Sequence, residues 1–206
     1  MINRLPLWLV LWAAALLWFA LLWITGQPIS ISGLGLFDWI PSLILVLVGI
    51  FDRVAWRWPI VKRFTHVPDA RGTWRGELIS NWKQPDGQAL PPITAYLVVR
   101  QTYFAVWVRL LSEQSASMTI SAELARAPDG VTTLVAVYKN VPRMSLRATS
   151  PIHFGAFLVE LQGDPVKRIS GHYWTDRLTQ GEMTFSERAS GLASSFQEAA
   201  TLRYKP

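Results

Sequence analysis

The sequence predicts a membrane-anchored all-β protein, in which an N-terminal transmembrane hairpin of two helices precedes an eight-stranded antiparallel up-and-down β-barrel. Two observations predict this division. The N-terminal third contains two long apolar segments that are nearly free of charge, whereas from Arg71 onward apolar and polar residues alternate and turn residues separate the runs. The chain therefore divides into a hairpin over residues 1–58, a juxtamembrane linker over residues 59–70 and a barrel domain over residues 71–206.

The first helix is predicted over about residues 5–24. No charged residue lies between Leu5 and Ile24, a run of 20 residues. At a rise of about 1.5 Å per residue, a helix of that length crosses a hydrocarbon core about 30 Å thick. A cleaved signal peptide is the alternative, but its apolar region usually has only about 7–15 residues. Because the exit WITGQPIS also lacks a small-x-small cleavage site, we expect a retained transmembrane helix.

The second helix is predicted over about residues 39–57. Asp38 stands where an N-cap is expected, and Pro41 falls in the first turn, where a missing N–H costs little. The first charge inside the segment is Asp52. Trp39 and Trp56 lie near its ends, as aromatic residues do at membrane interfaces. The two helices are expected to form a hairpin with a short outward loop.

Basic residues predict the orientation of this hairpin. Arg4 precedes the first helix, the connecting stretch TGQPISISGLGLF has no basic residue, and the second helix is followed by Arg53, Arg57, Lys62 and Arg63. The positive-inside rule then places the N-terminus and the barrel in the cytoplasm. The basic residues alternate with Trp and Phe, and attraction to anionic lipid headgroups is favoured over binding to polymeric nucleic acid. The absence of Cys is compatible with a reducing compartment.

Eight strands are predicted for the barrel domain, over about residues 72–82, 93–101, 103–112, 116–126, 131–140, 153–162, 166–176 and 181–188. Turn signals at Pro128-Asp129-Gly130 and Gly163-Asp164-Pro165 separate neighbouring strands, and a C-terminal helix is predicted between Ser190 and Arg203. Sequential strands with short connections favour a meander that closes on itself, because closure removes the exposed edges. Such a barrel is filled by its own side chains or holds one small ligand.

The loops predict where a ligand binds. In a meander the odd-numbered connections share one end of the barrel, and here most of them are long: KQPDGQALPP, SEQSA, VPRMSLRATSPI and DRLTQG. Since the first strand leaves the membrane at its start, this end faces away from the bilayer, and long loops on a rigid barrel are common binding sites. The candidate ligand-binding residues at this end are Trp82, Ser117, Tyr138, Asn140, Arg143, Arg147, His153, Thr175 and Arg177.

This set of side chains suits an anionic ligand that carries bases. Arginine makes bidentate contacts to phosphate, and aromatic rings stack on bases. No phosphate-binding loop, dinucleotide fingerprint, nucleophile elbow or zinc-protease pattern occurs, and no His lies at metal-ligand spacing from a carboxylate. We therefore expect no enzyme activity, no metal and no bound cofactor. For His153 a hydrogen-bonded structural imidazole is favoured over a metal ligand.

Several stretches of the chain resemble a known family. RGTWRGELISNW, LVAVYKNVP, HFGAFLVEL and ISGHYWTDRLTQGEM follow the two apolar segments in order. The markers are Gly72-Thr73-Trp74, Gln101, Ser117, Tyr138 with Asn140, His153-x-Gly155, and Gly171-x-x-x-Thr175-x-Arg177 with Gly181. On these residues the chain resembles, over nearly its whole length, the SMODS-associated two-transmembrane-helix, β-strand-rich effectors of bacterial CBASS antiviral systems.

The resemblance implies a function. In that family the barrel senses a cyclic dinucleotide made by a partner nucleotidyltransferase during phage infection. Binding is expected to drive homo-oligomerisation in the bacterial inner membrane and its disruption, which kills the cell before phage release. The expected contacts at the membrane-distal mouth are Arg177, then Arg143 or Arg147, to phosphate; Tyr138 or Trp82 stacked on a base; and polar contacts from Thr175, Asn140 and Ser117.

Two other functions remain open from the residues. A lipocalin-like, membrane-anchored binder of an apolar small molecule is one, because Gly-x-Trp on a first strand also opens that fold; it predicts an apolar interior cavity. A structural membrane protein whose barrel docks a partner is the other. The arginines at the mouth and the expected cytoplasmic orientation favour the cyclic dinucleotide receptor over both.

Overall fold

A computed structural model describes residues 11–12, 15–16, 18–20, 23–24, 40–83 and 87–205. Most of the predicted first membrane helix, and the loop that follows it, therefore lie outside the described residues. The chain forms two compact units. One contains the described residues of Pro68–Gln101 and Ala105–Pro206, and the other contains the described residues that precede Pro68 together with the short stretch Thr102–Phe104.

The helical unit contains helix α1 (Ile40–Arg53), a 3-10 turn (Ala55–Arg57) and helix α2 (Pro59–Thr65). Pro59 occupies the first turn of α2, where its missing N–H costs nothing, and the helix ends at His66, whose backbone is left-handed. The second predicted helix is thus interrupted after Arg53, and the segment predicted as a linker carries a helix of its own. Among the described residues, no helix is both long enough and apolar enough to cross a bilayer.

Thr102–Phe104, the turn between the second and third strands, is grouped with these helices through specific contacts. Asp52 accepts two hydrogen bonds from the main chain of this turn. Tyr103 N donates to the main-chain carbonyl of Asp52 at 3.0 Å, and Phe104 N donates to its side-chain Oδ1 at 2.9 Å. The ring of Tyr103 lies edge-on to Phe51, with centroids 4.8 Å apart, and near the fully buried Trp56. The C-terminal end of α1 is therefore tied to this turn by both polar and aromatic contacts.

The barrel contains eight strands: β1 (Gly72–Ser80), β2 (Ile93–Gln101), β3 (Val106–Ser112), β4 (Ser115–Arg126), β5 (Thr132–Pro142), β6 (His153–Gln162), β7 (Arg168–Thr175) and β8 (Gln180–Ala189). Each strand pairs antiparallel with its neighbours in sequence, and β1 pairs with β8 to close the barrel. The predicted eight-stranded up-and-down barrel is confirmed. Irregularities in register occur in β1 at Arg75/Gly76 and in β4 between Thr119 and Ser121.

Inward-facing apolar side chains fill the barrel. Trp74, Leu97, Leu134, Phe157 and Phe185 are at most 1% exposed and belong to one core cluster. Burial of an aliphatic or aromatic side chain of this size contributes about 1.5–3 kcal/mol. The one polar atom of the Trp74 ring is also satisfied, because Nε1 donates to the carbonyl of Ala70 at 2.8 Å. Most of the interior is therefore occupied by the protein's own side chains.

The odd-numbered connections, over residues 81–92, 113–114, 143–152 and 176–179, share one end of the barrel, which we call the mouth. The even-numbered connections, over residues 102–105, 127–131 and 163–167, share the other end. Only the first and third of the odd connections are long. The expected long loop around SEQSA is reduced to two residues, because β3 ends at Ser112 as predicted and β4 begins at Ser115, one residue earlier than predicted.

The C-terminal segment packs against the outer surface of the barrel. Helix α3 (Phe196–Thr201) is shorter than predicted, and it begins at Ser195, whose hydroxyl accepts a hydrogen bond from Glu198 N. The apolar cluster between this segment and the barrel contains Tyr96, Val98, Leu111, Ala193, Phe196, Ala199, Leu202 and Tyr204. It covers outward-facing residues of β2 and β3 that would otherwise be exposed to water.

An ion cluster joins the two ends of the barrel sequence, just before β1 and within β8. Asp69 receives a charge-assisted hydrogen bond from Arg71 (2.8 Å) and lies 3.5 Å from the guanidinium of Arg188, which stacks on the Trp74 ring at 5.2 Å. Burial alone would raise the pKa of Asp69, but the hydrogen bonds from Arg71 and the charges of Arg71 and Arg188 outweigh it and hold the pKa below its ordinary value. The ionised carboxylate is therefore the form that stabilises the closed barrel.

Replacing Asp69 tests this cluster. Asp69→Asn should lower the free energy of unfolding by about 1–3 kcal/mol, because two cations lose their carboxylate partner. When the pKa of a carboxyl group is lower in the folded state than in the unfolded state, the group stabilises the folded protein. This contribution is complete at pH values above the unfolded-state pKa, about 3.9 for Asp, and it is lost as the pH falls through the lower folded-state pKa. Denaturant unfolding of the detergent-solubilised chain between pH 7 and pH 3 should show this acid-dependent loss in the native chain and less of it in the variant.

Glu123→Gln is the matched control for this experiment, since Glu123 is an exposed carboxylate that makes no ion pair among the residues described. It should leave both the stability at neutral pH and its acid dependence unchanged. Equal effects of the two substitutions would show that the Asp69 cluster adds nothing specific.

Candidate functional site

Strand register brings several of the predicted site residues together at the mouth. Ser117 on β4 pairs with Asn140 on β5, which pairs with His153 on β6. The three residues form a polar row across neighbouring strands, one step closer to the mouth than the buried Tyr138. This row follows from the alternation of side chains along each strand, because residues that pair across an antiparallel ladder share a face.

A second row lies beneath the first. Tyr138 pairs with Gly155, which pairs with Thr175 on β7. A Cβ on Gly155 would lie 2.5 Å from the Tyr138 ring, so glycine is needed there to make room for the aromatic side chain. Tyr138 is only 4% exposed, and its ring centroid lies 6.0 Å from that of Phe157. The ring therefore forms the floor of the mouth and joins it to the apolar core.

The hydroxyl of Tyr138 is neutral over the physiological pH range. Burial, with smaller contributions from Tyr173 and Asp176, raises the pKa of Tyr138. The side chain can donate or accept a hydrogen bond from the floor but does not supply a phenolate. Its burial also means that its faces are covered by protein, so base stacking on this ring, as expected from the resemblance, requires a rearrangement of the floor.

Hydroxyl groups close the barrel between β3 and β4. These strands share a single ladder pair, Leu111 with Ala116, whereas β4 and β5 pair along their whole length. In place of the ladder, Ser117 Oγ accepts from Leu110 N at 2.8 Å, and Thr119 Oγ1 accepts from Val108 N at 2.8 Å and donates to the Val108 carbonyl. The expected ligand contact Ser117 is thus already engaged in holding two strands together.

The three predicted arginines belong to two loops of the mouth. Arg177, in the β7–β8 loop, donates to Ser150 Oγ (2.9 Å) and to the carbonyl of Thr149 (3.5 Å) in the β5–β6 loop. Arg147 Nε donates to the carbonyl of Pro142 at 3.2 Å. Arg143 is exposed, and its main-chain N–H is bound to the carbonyl of Gln114.

The mouth therefore carries three cations on connected loops. Arg177 is the residue that links the β5–β6 and β7–β8 loops directly.

The remaining predicted residues differ in how well they fit the site. His153 Nδ1 donates to the carbonyl of Pro151 at 3.0 Å. Thr175 Oγ1 lies 2.7 Å from Thr179 Oγ1, within hydrogen-bond distance, and accepts a hydrogen bond from Arg177 N. Thr175 therefore stabilises the conformation of the β7–β8 loop. Trp82 is 42% exposed but follows β1, which lies across the barrel from β5. It reaches the mouth from the side opposite Asn140.

Sequence reasoning missed a groove beside the mouth. This groove, of about 660 Å³, opens on β1, β7 and β8, and none of the nine predicted residues lines it. Ile79, Tyr173, Trp174 and Glu182 line it, together with neighbouring polar residues but no Lys or Arg. The groove offers aromatic surface, but its acidic residue is Glu182 and it has no Lys or Arg. Because a carboxylate repels a ligand that carries two negative charges, the groove is poorly suited to a dianion. The two consecutive aromatic residues Tyr173 and Trp174 were the sequence feature that could have indicated this groove.

No metal site is present in the described part of the chain, where no three His, Asp or Glu side chains come together at metal-binding distance. The site is thus built from hydroxyl, amide, imidazole, aromatic and guanidinium groups. Such groups bind and orient an anionic ligand.

Comparison with known families identifies the barrel. Residues 65–187 match the family model of the Cap15 cyclic dinucleotide receptor domain. The chain belongs to this family. The matched region begins at the end of α2 and extends into β8, so it includes the mouth and all nine predicted site residues. A search of curated proteins found no match.

Membership of this family gives the barrel its biochemical role. It is a receptor domain for a cyclic dinucleotide, of the kind carried by CBASS effectors, and the resemblance seen in the sequence is confirmed. The matched domain is one that senses a ligand and is not a known catalytic domain. The α3 segment lies outside the matched residues.

The contact between Tyr138 and Gly155 can be tested by substitution. Gly155→Ala places a methyl group 2.5 Å from the Tyr138 ring and 2.9 Å from the carbonyl of Trp174. Overpacking of this kind typically costs about 1–3 kcal/mol, and we expect unfolding of the chain to report a loss in that range.

A double-mutant cycle with Tyr138→Leu provides the control. The cost of Gly155→Ala should fall in the Tyr138→Leu background, because the ring that the methyl group meets is then absent. Strictly additive costs would show that Gly155 is required for another reason.

Proposed function

We propose that this chain is a CBASS antiphage effector whose barrel binds a cyclic dinucleotide at the mouth, and that binding triggers oligomerisation, disruption of the bacterial inner membrane and death of the infected cell. The observation that carries the proposal is the match of residues 65–187 to the cyclic dinucleotide receptor domain. The activating ligand is the product of a partner nucleotidyltransferase, and no cofactor takes part.

The distribution of charge supports the mouth as the binding site. A cyclic dinucleotide carries two phosphates, and the mouth has Arg143, Arg147 and Arg177 on two loops above a polar row. Below that row the interior is filled with apolar side chains. The nearby groove carries Glu182 and no cation. Charge-assisted contacts to phosphate therefore favour the mouth over the groove.

The apolar surface of α1 supports membrane anchoring. Leu45, Val46 and Leu47 are consecutive, and each is more than half exposed. Because consecutive helical residues point in directions about 100° apart, the helix is apolar on all sides. Such a helix is stable when buried in a bilayer or against other helices. Together with the charge-free run from Leu5 to Ile24, this supports the two-helix hairpin with the barrel in the cytoplasm.

The contacts of Asp52 support coupling between receptor and helix. Asp52 lies one residue before the end of α1 and binds the main chain of Tyr103 and Phe104, between β2 and β3. A shift of this turn would be transmitted to the end of α1 through two hydrogen bonds. The alternative of a lipocalin-like binder has less support, since its apolar cavity would have to replace the packed core around Trp74 and Phe157.

The first experiment is thermal unfolding of the detergent-solubilised full chain with a panel of cyclic dinucleotides and trinucleotides. A ligand present at about 100 times its Kd adds about 2.7 kcal/mol to the stability of the state that binds it. We expect one cyclic dinucleotide to raise Tm selectively. A folded chain whose Tm responds to none of them would contradict the proposal.

Arg177→Ala tests the phosphate contact. Loss of a charge-assisted hydrogen bond should weaken cyclic dinucleotide binding by about 1.5–3 kcal/mol, roughly 10- to 150-fold in Kd, as measured by calorimetry. Arg177→Lys should retain part of the affinity because it keeps the charge but loses the planar fork. Arg168→Ala, which removes an exposed cation at the opposite end of the barrel, is the matched control. An unchanged Kd for Arg177→Ala would exclude this residue from the site.

Asp52→Ala tests the coupling. We expect it to leave the Kd of the barrel within about twofold of the native value while reducing killing in bacteria that also express the partner nucleotidyltransferase, because the hydrogen bond from Phe104 N to Asp52 Oδ1 is lost while the Asp52 carbonyl still accepts from Tyr103 N. Glu123→Ala, an exposed acid on β4, should preserve both activities. Full killing by Asp52→Ala at native expression would show that the side-chain hydrogen bond of Asp52 does not transmit the signal.

A further inference from the structure

Residues 54–64, which follow α1 and include the 3-10 turn and most of α2, expose an unusual amount of apolar surface. Trp58 is 56% exposed, Ile60 77% and Phe64 78%. Ile60 and Phe64 are four residues apart on α2 and therefore lie on the same side of the helix. Two large apolar side chains with this exposure therefore stand together on α2, which begins at Pro59.

The same segment is strongly and uniformly basic. Arg53, Arg57, Lys62 and Arg63 lie within or next to it, and no acidic residue occurs between Arg53 and Pro68. Among the described residues, none of these four cations takes part in an ion pair. The segment thus carries a positive charge that no described acidic side chain neutralises through an ion pair.

Exposed apolar side chains combined with unpaired cations fit one type of partner better than others. At the surface of an anionic bilayer, aromatic and aliphatic side chains enter the boundary of the acyl chains while Lys and Arg extend to the phosphates. A polyanion such as nucleic acid would pair with the cations but would leave Ile60 in water. The charge complementarity and the apolar pair together therefore favour a lipid surface.

We propose that residues 54–64 form an interfacial anchor that lies in the headgroup layer of an anionic bilayer, with Ile60 and Phe64 at the acyl boundary and Lys62 and Arg63 on lipid phosphates. The inference rests on the proposed membrane attachment of the chain and deepens it by naming the lipid class. The anchor fixes the depth of the cytoplasmic end of α1, next to Asp52, and makes the attachment depend on the charge of the membrane.

The absence of Cys from the chain allows a direct test. Single cysteines are introduced by the substitutions Ile60→Cys and Phe64→Cys. Leu178→Cys is the control, because the Leu178 side chain is 92% exposed in the β7–β8 loop. Each carries an environment-sensitive fluorophore, and the full chain is reconstituted in vesicles of phosphatidylcholine with or without phosphatidylglycerol. Quenching by brominated acyl chains and by aqueous iodide reports the depth of each label.

We expect the labels at 60 and 64 to be quenched several-fold more by brominated lipid than the label at 178, and to be protected from iodide. Quenching should fall when phosphatidylglycerol is omitted, when salt is raised, or when Lys62→Gln and Arg63→Gln are added. Retention of the native melting transition in each variant shows that the labels report on a folded chain.

The chain could float with the vesicles while the labels at 60 and 64 remain as accessible to iodide as the label at 178. That result would overturn the anchor and leave the membrane attachment of the chain intact. Insertion that does not depend on phosphatidylglycerol would overturn the requirement for anionic lipid. Protection by an added oligonucleotide instead of by vesicles would overturn the choice of partner. A chain that does not float with vesicles at all would contradict the membrane attachment of the proposed function itself.

Discussion

The width of a closed eight-stranded barrel is the constraint on which the rest of this structure depends. Such a barrel has room for one layer of side chains across its axis, and Trp74, Phe157 and Phe185 use that room. A ligand the size of a dinucleotide cannot share this space. The proposed binding site at the mouth meets this constraint, because the polar residues Ser117, Asn140 and His153 lie there above the ring of Tyr138.

The seam between β3 and β4 adds a second constraint on the mouth. Every other neighbouring pair of strands is joined by a main-chain ladder of six or more residue pairs, but here Ser117 and Thr119 replace main-chain partners. A side-chain hydroxyl is held by one rotatable bond, so such a seam opens at lower cost than a ladder of main-chain hydrogen bonds. A ligand that competes for the Ser117 hydroxyl would act on the closure of the barrel as well as on the site.

The parts of the structure that were predictable from the sequence are those governed by local pattern. Alternation and turn residues predicted all eight strands, and the same alternation placed Ser117, Asn140 and His153 on neighbouring strands. Contacts between distant segments were not predictable, because nothing in the sequence around Arg177 or Asp52 identifies Ser150 or Phe104 as a partner.

Helix α2 illustrates the same limit. Its seven residues carry too little periodicity to predict a helix, and only Pro59 indicated where it begins.

The energetics of switching place a demand on the two loops of the mouth. To move a two-state equilibrium from about 1:99 to 99:1, a ligand must favour one state by about 5.5 kcal/mol. One charge-assisted hydrogen bond contributes about 1.5–3 kcal/mol, so no single arginine is sufficient. At least two contacts must differ between the states. In the proposed function, Arg177 and Arg147 would meet this demand together, since they lie on separate loops that Arg177 already joins through Ser150 and Thr149. In the proposed function, a ligand that bridges both loops would replace this internal link by its own phosphates, and its binding energy would then be available to displace the strands that lead to the Asp52 contacts.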